Sequence, residues 1–115
     1  DDIREAPSLT LIKDLISVGC KVRAYDPQAT RKAEKLFGKE KNINFLNSAI
    51  EALHGSDALV ILTEWKEFRS VDLGQVKKKL SYPLIIDGRN IYDLDEMTAM
   101  GFNYYSVGRK TIYSK

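Results

Sequence analysis

The residues whose types and order most directly suggest chemistry are the four at positions 87–90, Asp87-Gly88-Arg89-Asn90. They directly follow an apolar run with the pattern of a buried strand, and open α/β sheets bind ligands where their parallel strands end. The planar guanidinium of Arg89 can pair with a phosphate through two hydrogen bonds, and Gly88 permits a sharp turn or a close approach. In isolation the tetrapeptide is better explained by Asp87 and Arg89 solvating a strand end. The functional alternative is an anion site at Arg89.

Polar residues follow two other predicted strands, and an arginine precedes the first predicted helix. Asp26 follows the strand at 21–25, and Thr63-Glu64-Trp65 follows the strand at 58–62. Trp65 would place an amphipathic ring at the carboxyl edge of the sheet, where it closes a pocket or packs an interface. Arg4 lies just outside the predicted start of the first helix, where backbone N–H groups favour anions. It is either a second phosphate contact or part of a frayed terminus.

Strands and helices are predicted to alternate along the chain. Hydrophobic periodicity with Gly, Pro and Asp boundaries predicts helices at 7–18, 30–37, 48–53, 73–80 and 94–100, and strands at 21–25, 43–45, 58–62, 84–86 and 104–107. This order indicates a Rossmann-like three-layer α/β/α domain with a mostly parallel sheet of about five strands. The seven glycines form neither a G-x-G fingerprint nor a P-loop. Ligand contacts are therefore expected from side chains at the strand ends.

Composition limits the classes of protein that this chain can represent. Its 115 residues, 43% of them hydrophobic, predict one domain spanning residues 1–115. Eighteen Lys and Arg against sixteen Asp and Glu give a net charge of +2, too small an excess for a nucleic-acid binder. The single cysteine excludes an internal disulfide and fits a reducing cytoplasm. No apolar run approaches the ~20 residues of a membrane span. Because the chain opens on Asp1, we expect a piece of a longer protein.

Catalytic and metal-binding patterns are weak. His54, beside Gly55 in a loop, is expected to be solvated and without a role. Cys20 is expected to be a small buried residue, since no histidine pattern accompanies it. Three other sets of residues are predicted to have structural roles. Asp93, Asp95 and Glu96 are first-turn acids, Lys77-Lys78-Lys79 forms a solvated helix face, and Tyr104-Tyr105 flanks an edge strand. No catalytic residue and no metal site are predicted.

Four motifs together resemble a known family. In the same order and at similar spacing, they occur in the C-terminal, UDP-binding domain of the UDP-glucose 6-dehydrogenases, within the UDP-glucose/GDP-mannose dehydrogenase family. The motifs are Asp2-Ile3-Arg4-Glu5-Ala6-Pro7-Ser8, Tyr25-Asp26-Pro27, Thr63-Glu64-Trp65 with Phe68, and Asp87-Gly88-Arg89-Asn90. The resemblance covers nearly the whole chain, and Trp65 is more similar to the UDP-glucose branch than to the others.

The resemblance implies that the chain is one domain of a larger cytoplasmic, homo-oligomeric enzyme of polysaccharide biosynthesis. Such enzymes have an N-terminal NAD-binding domain and a central helical region as well. They oxidise UDP-glucose to UDP-glucuronate with two NAD, through an intermediate bound to a cysteine of the central region. Cys20 does not match that cysteine, so the chain alone is expected to be inactive.

The resemblance assigns a role to two residues. Arg89 matches the arginine that contacts the nucleotide sugar, and Arg4 matches the arginine that the family uses toward NAD. The family's phenylalanine-lysine pair upstream is absent here, so the isolated chain is expected to bind UDP-sugar weakly. Two alternatives stay open, a dehydrogenase of another nucleotide sugar (a UDP-N-acetyl sugar or GDP-mannose) and a stand-alone α/β ligand-binding or interaction module. A receiver-like module would need a tight acidic pair and a lysine at a strand end, which the sequence does not show.

Overall fold

A computed structural model describes residues 2–26, 30–62 and 66–114, with side chains described at 9–26, 34–62 and 68–114. The chain forms two compact units, Asp1–Ala52 and Leu53–Lys115, and each is considered by itself.

The first unit is built on a parallel pair of short strands. Its elements are α1 (Asp2–Ser17), β1 (Val22–Ala24), α2 (Thr30–Phe37), β2 (Ile43–Phe45) and α3 (Ala49–Leu53), the last ending on the first residue of the second unit. β1 pairs with β2 in parallel, and the rings of Phe37 and Phe45 pack with their centroids 6.2 Å apart. The Ser48 hydroxyl accepts a hydrogen bond from the Glu51 N–H at 3.0 Å, as expected for the residue that begins α3.

The first helix begins earlier than the apolar pattern predicts. The prediction starts at residue 7, whereas α1 starts at Asp2, so Arg4 lies within its first turn and not just outside it. Asp2 and Glu5 are acids of the kind that a helix N-terminus favours. Because polar residues do not carry the apolar period, hydrophobic spacing alone does not reveal this turn.

The second unit contains a three-stranded parallel sheet. Its elements are β3 (Leu59–Ile61), α4 (Lys66–Arg69), α5 (Leu73–Lys79), β4 (Leu84–Asp87), α6 (Leu94–Met100) and β5 (Asn103–Ser106). The strand order is β3-β4-β5, with β4 in the centre. Beyond β5, Ile112 forms an antiparallel bridge with Tyr104. The single turn α4 was not predicted, because four residues are too few to show a helical period.

One face of this sheet carries the core of the second unit. Register places Leu59, Ile85 and Tyr104 side by side across the three strands. Ile85 and Tyr104 are fully buried, as are the core residues Val76, Met97 and Phe102 of the helices and adjoining turns. Burial of each such apolar side chain stabilises the fold by ~1.5–3 kcal/mol.

The other face of the same sheet is partly exposed. Register aligns Val60, Ile86 and Tyr105 on it, and the exposed fractions of Ile86 and Tyr105 are 39% and 57%. The apolar run that precedes Asp87 had suggested a buried strand. β4 is central in its sheet, but the expectation of burial is wrong at Ile86.

The predicted fold class is confirmed. In the described part of the chain, helices and strands alternate except that α5 directly follows α4, and the five strands pair in parallel, in one sheet of two strands and one of three. The helices α2 and α6 and the strand β2 have the predicted bounds, and the other predicted elements differ by a few residues at their ends. Among the described residues, no helix is long and apolar enough to cross a bilayer.

Candidate functional site

Asp87, the last residue of β4, is a buried carboxylate that organises the loop following it. Only 1% of its surface is exposed. Its Oδ1 accepts the Arg89 N–H at 2.9 Å, and its Oδ2 accepts the Ile91 N–H at 2.7 Å and the Tyr92 N–H at 3.3 Å. The Tyr104 hydroxyl donates to the same Oδ2 at 2.6 Å. A buried charge is tolerated when donors surround it in this way, so the interpretation of Asp87 as a solvating residue is wrong.

Gly88 allows the loop to pass close to the end of β3. Its N–H donates to the Ile61 carbonyl at 2.8 Å. A Cβ at this position would lie 3.2 Å from the Ile61 carbonyl oxygen and 3.3 Å from Cδ2 of Leu62. A side chain here would be tight against β3, so the glycine favours the close approach that the sequence suggested, and its N–H connects the loop to the neighbouring strand.

Asn90 joins the same loop to the turn after β5. Its backbone is left-handed, with a φ of 54°. Its side-chain amide donates to the Val107 carbonyl at 2.9 Å, and its side-chain oxygen accepts the Val107 N–H at 2.9 Å. Asparagine tolerates the left-handed region better than most residues, and here the two hydrogen bonds hold it there.

Arg89 lies between these anchors. Its side chain is exposed, while its backbone N–H is held by Asp87. Gly88 and Asn90 on either side are fixed to β3 and to the turn after β5. The loop therefore carries a guanidinium on a firmly held backbone at the carboxyl end of the central strand β4. A group of this kind can bind a carboxylate or a phosphate through two hydrogen bonds.

Two tyrosines complete the support of the loop. The Tyr92 hydroxyl donates to the Phe68 carbonyl at 2.7 Å. Burial, together with the nearby charges of Asp87 and Glu96, raises the pKa of Tyr92 to about 12. Burial and the hydrogen bond to Asp87 raise the pKa of Tyr104 still further above its usual value. Both phenols therefore keep their protons at neutral pH and act as hydrogen-bond donors.

The remaining predicted site residues are only partly placed. Arg4 is in the first turn of α1, but its side chain lies outside the described residues, and so does the whole of Thr63-Glu64-Trp65. Asp26 follows β1 in the first unit and is partly buried. Of the two residues to which the resemblance assigns a binding role, the structure thus describes the side chain of Arg89, together with the loop that carries it.

The structure describes several residues for which the sequence predicted structural roles. Asp93 caps α6 by accepting the Glu96 N–H at 3.2 Å, with Asp95 and Glu96 in the first turn. Within the described part of the chain, no group of three potential metal ligands occurs. Cys20, expected to be buried, is exposed. Tyr104, expected to flank an edge strand, is fully buried and contacts Asp87.

A cavity lies at the opposite end of the sheet from Arg89. It has a volume of about 160 Å³ and adjoins Leu84 and Asn103, the first residues of β4 and β5. Ligand pockets usually measure ~300–1,000 Å³, so this cavity is too small for a nucleotide. The candidate site is therefore the loop at the carboxyl end and not this cavity.

Sequence comparison relates the chain to dehydrogenases of nucleotide sugars. The sequence model of the UDP-glucose/GDP-mannose dehydrogenase family, UDP binding domain, matches residues 1–94 and so extends across both units. UDP-glucose 6-dehydrogenase of Rickettsia bellii is 42% identical over 110 residues, which are 96% of this chain and 25% of that protein. UDP-glucose 6-dehydrogenase TuaD of Bacillus subtilis is 39% identical over 112 residues, or 97% and 24%. The chain spans about a quarter of the length of these curated relatives.

Structural comparison gives a similar result. The crystal structure of an NDP-N-acetyl-D-galactosaminuronic acid dehydrogenase from Methanosarcina mazei matches with a TM-score of 0.75 and 27% identity, over 96% of this chain and 22% of that one. A UDP-D-ManNAc dehydrogenase from Pyrococcus horikoshii matches with a TM-score of 0.57 and 21% identity, over 94% of this chain and 31% of that one. The second likeness concerns the fold alone.

Proposed function

Because this chain belongs to the UDP-glucose/GDP-mannose dehydrogenase family, as its UDP binding domain, we propose that it supplies part of the UDP-sugar site of a UDP-glucose 6-dehydrogenase. Arg89 is the substrate-binding residue in this proposal. The observation that carries it is the firmly held loop that presents the Arg89 guanidinium at the carboxyl end of β4. A diphosphate offers the charge and the paired oxygens that this group recognises.

The whole enzyme is proposed to oxidise UDP-glucose to UDP-glucuronate with two NAD. Arg4 is proposed to contact NAD, on the basis of the resemblance and of its place in the first turn of α1. The other groups that bind NAD and the catalytic cysteine belong to domains outside these 115 residues, so the chain alone is inactive.

We infer further that residues 1–115 act as one domain, that the parent enzyme is a homo-oligomer, and that it works in the cytoplasm, consistent with its single cysteine in 115 residues.

A dehydrogenase of an N-acetylated nucleotide sugar is the second candidate. The match to the Methanosarcina mazei enzyme, whose substrate is of that class by its name, favours it. The two candidates differ in the sugar, whereas the loop at 87–90 would contact the nucleotide portion in both. Values of kcat/KM for UDP-glucose, UDP-N-acetylated hexoses and GDP-mannose, measured with the full-length protein, decide between them.

Arg89→Ala in the full-length enzyme tests the role of the loop. The substitution removes a charge-assisted contact worth ~1.5–3 kcal/mol, so the KM for UDP-glucose is expected to rise about 10- to 100-fold. The KM for NAD is expected to change little. Lys78→Ala removes an exposed cation on α5 and serves as the control. Unchanged UDP-glucose kinetics in Arg89→Ala would contradict the proposal.

A further inference from the structure

Arg109, in the turn after β5, makes three hydrogen bonds around the base of the Arg89 loop. Its Nε donates to the Ser106 hydroxyl at 3.0 Å, its Nη1 to the Tyr92 carbonyl at 3.0 Å, and its Nη2 to the Tyr104 hydroxyl at 2.8 Å. The guanidinium carbon also lies 5.5 Å from the centre of the Tyr104 ring. All three nitrogens of the partly buried guanidinium are therefore used within the protein.

The bond from Arg109 fixes the direction of the Tyr104 proton. Arginine can only donate, so the Tyr104 oxygen accepts from Nη2 and must direct its own proton elsewhere. The nearest acceptor is Oδ2 of Asp87 at 2.6 Å, while the Tyr92 carbonyl is 3.3 Å away and already accepts from Arg109. Arg109, Tyr104 and Asp87 thus form a directed chain of hydrogen bonds that ends on the carboxylate holding the Arg89 backbone.

Arg109 also balances the charge of this chain. Asp87 is fully buried, and of its donors three are backbone N–H groups and one is a neutral phenol. Arg109 brings one positive charge to the same network through Tyr104. Without Arg109, the negative charge of buried Asp87 would be uncompensated at the base of the Arg89 loop. It would repel an anionic ligand bound there, and the low dielectric of the interior would strengthen this repulsion.

We propose that Arg109 is a positioning residue for nucleoside diphosphate binding: it directs Tyr104 onto Asp87 and cancels the Asp87 charge, so that the Arg89 loop can receive the diphosphate. This inference rests on the proposed function, since it assumes that Arg89 contacts the diphosphate. It adds a residue beyond the part of the chain, 1–94, that the family model matches. Arg109 itself need not touch the ligand.

The test compares a charged ligand with an uncharged one in the full-length protein. Dissociation constants are measured for UDP by calorimetry and for uridine by competition against UDP. Arg109→Gln is expected to raise the UDP constant about tenfold and the uridine constant less than about twofold, because only UDP carries the charge that Asp87 would repel. Arg109→Lys keeps the charge and is expected to stay within about threefold of the wild type for UDP. Lys110→Gln, which removes an exposed neighbouring cation, is the matched control and is expected to leave both constants unchanged.

Equal losses for UDP and uridine in Arg109→Gln, or no loss for either, overturn the proposal. If circular dichroism shows that Arg109→Gln does not fold, Tyr104→Phe takes its place, since it keeps the ring but breaks the chain of hydrogen bonds. It is expected to weaken UDP binding at least about threefold, and unchanged UDP binding overturns the positioning role. Arg89→Ala in the same assay distinguishes failure of the proposed function from failure of this inference. If Arg89→Ala does not weaken UDP binding, the proposed function fails. If Arg89→Ala weakens UDP binding and Arg109→Gln does not, only the inference about Arg109 fails.

Discussion

At the scale of single residues, the site depends on a few side chains that bond to backbone. Asp87 binds three N–H groups of the following loop, and Asn90 binds both the N–H and the carbonyl of Val107. Arg89 is flanked by these anchors, so its backbone has little freedom. A loop whose backbone is already ordered loses less conformational entropy when it binds a ligand.

Substitution of Asn90 tests how strongly this anchoring stabilises the protein. Asn90→Ala removes both hydrogen bonds to Val107 and leaves an alanine at a φ of 54°, so we expect a loss of about 1 to 3 kcal/mol in the free energy of unfolding. Asn90→Gly loses the same bonds without the backbone strain and should be less destabilising by ~1 kcal/mol. Urea denaturation of both variants measures the difference. An alanine variant as stable as the wild type would show that the contacts with Val107 contribute nothing.

At the scale of elements, the short helix α6 is bounded by residues that favour a helix end and is stabilised by packing in the core. Gly101, with a φ of 80°, ends it as the sequence predicted, whereas Asp93, expected among the first-turn acids, is the residue that caps the first turn. Between them Met97 is fully buried in the core. A seven-residue helix is too short to be stable alone, so its caps and its packing must act together.

The cap at Asp93 can be tested separately from the packing. Asp93→Ala leaves the Glu96 N–H without its side-chain acceptor, and we expect the protein to lose about 1 kcal/mol of stability. Asp93→Asn retains an oxygen that can cap and should remain close to the wild type. Thermal and urea unfolding of the two variants provide the comparison. Equal losses in both would indicate that the carboxylate charge, and not the cap, matters.

At the scale of the whole molecule, the buried phenols couple stability to alkaline pH. Tyr92 titrates with a pKa of about 12 in the folded protein and near 10.0 when unfolded. The folded state therefore holds the proton more tightly, and the stability gained in this way is present below about pH 10 and decreases as the pH rises toward about 12. Tyr104, whose pKa is also raised by burial and by Asp87, contributes in the same direction.

The coupling predicts a specific pH profile. The free energy of unfolding from urea titrations should fall between about pH 10 and pH 12, and Tyr92→Phe should reduce the fall. Tyr113 is 77% exposed, so Tyr113→Phe is the control and should follow the wild type. The difference between the profiles of the variants is the informative quantity. Parallel profiles for Tyr92→Phe and the wild type would contradict the assignment.

Much of the fold and part of the site could be read from local patterns. The bounds of α2, β2 and α6 follow from spacing and from residues that start or stop an element, and Gly88 was recognised as a residue that permits close approach. Such signals act over a few residues and need no knowledge of the rest of the chain. The fold class and the placement of Arg89 after a buried strand were therefore accessible to sequence alone.

Only the tertiary structure decided what supports Arg89. Asp87 lies 17 residues before Tyr104 in the sequence, and the parallel register of β4 and β5 brings these two residues together, with Asp87 opposite Ser106. From sequence, the Tyr104-Tyr105 pair was expected to flank an edge strand and no role was predicted for Arg109, because neither belongs to a local motif that suggests chemistry. The physical reason is that strand pairing is a long-range contact. The sequence by itself identified Arg89 as the residue proposed to bind the anion, and the pairing of strands determined which carboxylate, phenol and guanidinium support its loop.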